Sequence, residues 1–90
     1  MAYTIEFLKR ARRDLATLPA KAKSRILARI KALGENPRPP QSQPLQGDLE
    51  GHYRLRVGDY RVIYCIRDQV LIVVVVRVGH RKEIYRRLAR

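Results

Sequence analysis

The chain has 90 residues, 46% of them apolar, and sets 20 Lys and Arg against 8 Asp and Glu for a formal net charge of +12. That length supports one small core, so residues 1–90 read as a single domain, and the apolar content excludes a disordered chain. A cation excess of this size stresses the folded state by self-repulsion and calls for an anionic partner: nucleic acid first, an acidic protein second, a membrane surface third.

Residues 3–8, YTIEFL, alternate Tyr3, Ile5 and Phe7 with polar positions, the period of a half-buried strand. The period then changes. Leu8, Ala11, Leu15 and Leu18 fall at helical spacing, with Lys9, Arg10, Arg12, Arg13 and Asp14 between them. Pro19 ends this helix and can open the next. Ala22, Ile26, Ile30 and Leu33 form a second apolar stripe that Gly34 stops. Two short helices joined so tightly should form an antiparallel hairpin.

Residues 36–47 hold four of the five prolines and read as a loop, since neither a helix nor a central strand tolerates them. Three strands are expected at about 52–57, 60–67 and 70–78, with Gly58-Asp59 and Asp68-Gln69 as two-residue turns. The third, VLIVVVVRV, is β-branched on both faces and reads as a central strand broken at Gly79. The last segment, EIYRRLAR, reads as a helical turn or an ordered tail. The expected fold is α+β, in the order β-α-α-β-β-β, a helical hairpin packed on one face of a small antiparallel sheet.

Charges at Glu6, Lys9 and Arg10 interrupt the N-terminus before a signal peptide can develop, and the apolar run Val70–Val76 is too short to span a bilayer. The single cysteine, Cys65, cannot make an intrachain disulfide and reads as a small buried hydrophobe. A cytoplasmic location without membrane contact is therefore expected.

Strand parity gives the sheet two unlike faces. Tyr53, Leu55 and Val57 match Tyr60, Val62 and Tyr64 on the face that should carry the helices. Arg54, Arg56 and Arg61 point to the other side, where Ile63 and Cys65 need some cover and Ile63 and Val74 should be exposed beside the arginines. A two-residue turn at Gly58-Asp59 sets Arg56 directly opposite Arg61, a destabilising arrangement of like charges. Solvated strand residues or edge protection would account for some arginines, not for three adjacent ones whose nearest acid, Asp59, can pair with at most one.

Guanidinium groups suit phosphate, because their fork of donors holds two oxygens and stays charged, and a cluster of them can stabilise a phosphorane. The stretch VGHRKEIY, residues 78–85, adds His80, Arg81 and Tyr85 as candidates to join that face. Cofactor and metal chemistry are not expected: no HxxxH, HExxH or DxD spacing and no Gly-rich phosphate loop is present.

The run PLQGDLEGHYRLRVGDYRVIYCI, the β-branched strand after it, VGHRKEIY, and the Ala11, Asp14, Leu15, Leu18 pattern together resemble the RelE/ParE superfamily of bacterial and archaeal toxins. The resemblance implies the fold already argued, and a type II toxin–antitoxin system. Its RelE-like members are metal-independent endoribonucleases that cut messenger RNA in the ribosomal A site and inhibit translation until an antitoxin binds. It implies RNA-binding and catalytic roles for Arg54, Arg56, Arg61, Arg81 and Tyr85, with arginines at 54 and 56 where RelE-type enzymes often carry lysines. His80 is then a candidate for moving the proton. The partners implied are messenger RNA, the ribosome and an antitoxin with an acidic, amphipathic segment. ParE-like members, which poison DNA gyrase, and a non-catalytic basic RNA-binding module are the alternatives.

Overall fold

The computed structural model describes residues 2–88. The alternation at the N-terminus forms β1 (Thr4–Phe7), and the two apolar stripes form α1 (Lys9–Ala16) and α2 (Ala20–Ala32), with Pro19 at the cap between them. The strands that follow are β2 (Ser42–Pro44), β3 (His52–Val57), β4 (Tyr60–Arg67) and β5 (Ile72–His80), and α3 (Ile84–Leu88) closes the described chain. They make one five-stranded sheet in the order β1-β5-β4-β3-β2. β2 to β5 pair antiparallel, and β1 joins β5 in parallel, so the sheet is mixed.

The helices cover the face that strand parity assigns to them. Leu55, Val57, Val62 and Tyr64 bury against Ala11, Leu15, Ile26, Ile30 and Leu33, with Tyr53 and Tyr60 packed at the margin. The pairing of β4 with β5 shifts by one residue between Ile63 and Tyr64, which leaves Val76 without a partner. This bulge changes the parity of β5, so that Val73, Val75 and then Val78 all reach the core.

Beyond Val75, where β1 ends, α1 serves the open edge of β5. Asp14, 6% exposed, accepts hydrogen bonds from Arg77 Nε at 3.0 Å, Arg77 Nη2 at 3.1 Å and the Val78 backbone N–H at 2.9 Å. One carboxylate thus neutralises an arginine and occupies a donor that the sheet leaves unpaired.

Four sequence expectations are corrected. The proline-rich segment is not all loop: Ser42–Pro44 pairs with β3 as a three-residue edge strand, the position where a missing N–H costs no ladder bond. The β5 strand runs through Gly79, which pairs with Arg61, and ends at His80. The turn before it takes four residues, 68–71, with Leu71 at φ 56°, so β5 starts at Ile72. Ile63 is fully buried rather than exposed. α3 packs on β5, and its Ile84, also fully buried, seals the side opposite the main core. Residues 89 and 90 of the expected tail lie outside the described residues.

Candidate nucleic-acid interface

The two-residue turn forms as read: Val57 pairs with Tyr60, and Arg56 with Arg61. Gly58 has φ +59°, a left-handed conformation that favours glycine, while the nearest obstacle to a β-carbon there is the tip of the exposed Arg25 side chain, which can move aside. The turn therefore fixes the register that sets the two arginines side by side.

Arg54, Arg56 and Arg61 line a basin of about 220 Å³, together with Pro40, Gln41 and Gln43. Arg54 Nη1 donates to the Tyr85 hydroxyl at 2.6 Å, and its Nη2 donates to Gln43 Oε1. Arg61 Nη1 donates to the carbonyl oxygens of Gly58 and Tyr60, both at 2.9 Å. Arg56 is exposed. Arg81 reaches the same region because its backbone N–H donates to the Asp59 carbonyl at 2.8 Å, and its Nε lies 3.8 Å from Asp59 Oδ1. Asp59 thus pairs with one arginine, loosely and in the open.

Burial, then the charge of Arg54, holds the Arg61 pKa below its ordinary value; Arg56 and Arg81 push the same way and Tyr85 opposes them. Four like charges and one tyrosine therefore share one electrostatic site. An anion placed there meets a concentration of donors whose mutual repulsion it relieves.

His80 does not join them. It pairs with Tyr60 at the end of β5, on the helix-bearing face, with its ring edge-on to Tyr60 at 5.9 Å. Its Nδ1 accepts from the Lys82 backbone N–H at 3.2 Å. The parity change at the bulge turns it toward Tyr60 and away from the strand arginines, so this placement lends no support to the expectation that it moves their proton. Among the described residues, no group of three or more His, Cys, Asp or Glu is placed to hold a metal ion.

Sequence reasoning does not find Pro40, Gln41 and Gln43, whose stretch reads only as loop. What places them is tertiary. Gln43 pairs with Arg54, and the Gln41 carbonyl accepts from the Arg56 N–H at 3.2 Å. The Tyr64 hydroxyl, inside the core, donates to the Pro37 carbonyl at 2.7 Å. Arg38 lies over the Tyr53 ring and grips Asp68 with bonds of 2.8 and 3.2 Å, while the Tyr3 hydroxyl donates to Asp68 at 2.7 Å. The hydrogen bonds of Arg38 and then Tyr3 hold the Asp68 pKa down at about 2. The proline-rich segment is therefore pinned at both Pro37 and Arg38, and that fixes one wall of the basin.

Residues 5–85 match the family described as ParE toxin of type II toxin–antitoxin system. The chain is 44% identical to Toxin RelG of Mycobacterium tuberculosis over 97% of its own length and 100% of that protein's. The structure is similar to the toxin–antitoxin complex RelBE2 of the same organism, with a TM-score of 0.83 and 34% identity over 89% of this chain and 92% of that one. It is also similar to the archaeal RelE–RelB complex of Pyrococcus horikoshii, with a TM-score of 0.74 and 29% identity over 90% and 97% of the two chains.

Proposed function

The chain belongs to the RelE/ParE superfamily of toxins of type II toxin–antitoxin systems, and we propose that it is a ribosome-dependent endoribonuclease that cuts messenger RNA and so inhibits translation. What carries this reading is a sheet face on which Arg54, Arg56 and Arg61 line a basin without a carboxylate in its lining, with Tyr85 bonded to Arg54 and Arg81 held at the adjoining turn by Asp59. Phosphodiester cleavage without a metal needs that kind of charge, aimed at a developing phosphorane.

The reaction is attack of a ribose 2′-oxygen on the adjacent phosphorus. The new O2′–P bond forms as the P–O5′ bond breaks, leaving a 2′,3′-cyclic phosphate and a 5′-hydroxyl. Arg56, Arg61 and Arg81 stabilise the charge that builds on the phosphoryl oxygens. Arg54 orients the backbone, and Tyr85, exposed and bonded to Arg54, positions or stacks on a base. Permanently charged guanidinium groups neither take the 2′ proton nor deliver one to O5′, so the arginines act by charge and position alone.

A partner antitoxin with an acidic, amphipathic segment matches the net charge of +12, and two of the similar structures are complexes of a toxin with its antitoxin. No helix among the described residues is long and apolar enough to cross a membrane, and the proposed action on translating ribosomes calls for a cytoplasmic location.

The second reading is a ParE-like gyrase poison, favoured by the name of the matching family. Primer extension on a message translated in extract separates the two. New 5′ ends inside the reading frame are expected. Intact messages together with blocked gyrase supercoiling would replace this reading with the second.

A further inference from the structure

We propose that Gln43 is a positioning residue: its side-chain oxygen, with the Tyr85 hydroxyl, fixes the plane of the Arg54 guanidinium without cancelling its charge. The role rests on the phosphate-site reading above. β2 and β3 pair with Gln43 opposite Arg54, so both side chains leave the sheet on the same face. Arg54 is then held from two sides, its Nη2 by Gln43 and its Nη1 by Tyr85.

The chemistry of the holder matters. A carboxylate at position 43 would grip the fork equally well in geometry, as Asp14 grips Arg77 and Asp68 grips Arg38. It would also bring a negative charge into the lining of the basin and compete with phosphate for the same donors. An amide oxygen supplies direction alone. A donor already aimed gives up less freedom when the phosphate arrives, and so contributes more to binding the transition state. The pinned proline-rich segment supports the holder, because the bonds from Tyr64 to Pro37 and from Arg56 to Gln41 fix where β2 lies.

Two substitutions separate direction from charge. Gln43→Ala removes the direction and keeps the charge. Cleavage should fall about tenfold, mainly in kcat. Affinity for a single-stranded RNA carrying one 2′-deoxy nucleotide, and its salt dependence, should stay within about twofold of the parent. Gln43→Glu does the reverse: the guanidinium stays held while RNA affinity falls about tenfold. The side chain is exposed on an edge strand, so both variants should keep the parent unfolding midpoint.

Nitrogen-15 spectra of the arginine side chains report the holding directly. Restricted rotation of the Arg54 guanidinium is expected in the parent and in Gln43→Glu, and free rotation in Gln43→Ala. In an Arg54→Ala background the Gln43→Ala effect on cleavage should disappear. Unchanged Arg54 rotation in Gln43→Ala, or the same loss of cleavage with and without Arg54, would overturn the role. If the parent does not cut translated RNA, the nuclease reading fails, and the spectra with the RNA titrations still decide what Gln43 does.

Discussion

Arg77 and Arg38 meet carboxylates, whereas Arg54 and Arg61, among the described residues, donate to neutral oxygens. Arg77 lies 3.0 Å from Asp14 in an ion pair whose side chains are 17% and 7% exposed, and Arg38 lies 2.8 Å from Asp68 at the surface. Those two pairs join distant parts of the chain: α1 to β5, and the proline-rich segment to the turn at residues 68–71. On the strand face the partners are the Gly58 and Tyr60 carbonyls, the Gln43 amide and the Tyr85 hydroxyl. The same side chain thus serves two purposes. Where the charge is cancelled, it holds the fold together. Where it is only aimed, it remains available to an incoming anion.

The contrast breaks hardest at Asp14. Asp14→Ala strands Arg77 with little solvent and leaves the Val78 N–H without its acceptor. A loss of about 3–5 kcal/mol is expected in urea unfolding. A loss below about 1 kcal/mol would mean that Arg77 finds water and that the pair is not structural.

Arg81→Ala tests the other side. Its contact with Asp59 is loose and exposed, so unfolding should change by no more than about 0.5 kcal/mol while cleavage falls ~10²–10³-fold. Equal cleavage by parent and variant on translated messages would remove Arg81 from the site.

The surface pair gives the smallest effect, and a pH-dependent one. The folded Asp68 pKa of about 2 lies below the ordinary 3.8, so its contribution is complete above the ordinary value and disappears as pH falls through the folded one. Between about pH 4 and pH 2 the amides of residues 36–43 should lose hydrogen-exchange protection, and in Asp68→Asn that acid step should be absent. A step that persists in Asp68→Asn would assign it to another carboxylate.

Periodicity carried the helical hairpin, the β3–β4 pairing and the two unlike sheet faces, because each depends on neighbours close in sequence. The juxtaposition of Arg56 and Arg61 follows from one short turn, which is why this part of the candidate site was legible. β2 was not, since three residues among prolines have no period and are made a strand only by β3 beside them. The bulge at Val76 was equally hidden, and it decided that His80 faces Tyr60 rather than the arginines. The burial of Ile63 depends on α3 folding back over β5, a contact between segments whose spacing in the chain carries no signal.

The most direct test compares Arg61→Ala with the parent, scoring cleavage of a translated message at equal concentrations of folded protein. Arg61 donates to two carbonyl oxygens and is repelled by Arg54, Arg56 and Arg81, so its removal should leave the unfolding midpoint unchanged or slightly raised. The expected result is a ~10²–10³-fold slower cut in that folded variant. Parent-level cleavage by folded Arg61→Ala would contradict the claim that the strand-face arginines form the phosphate site.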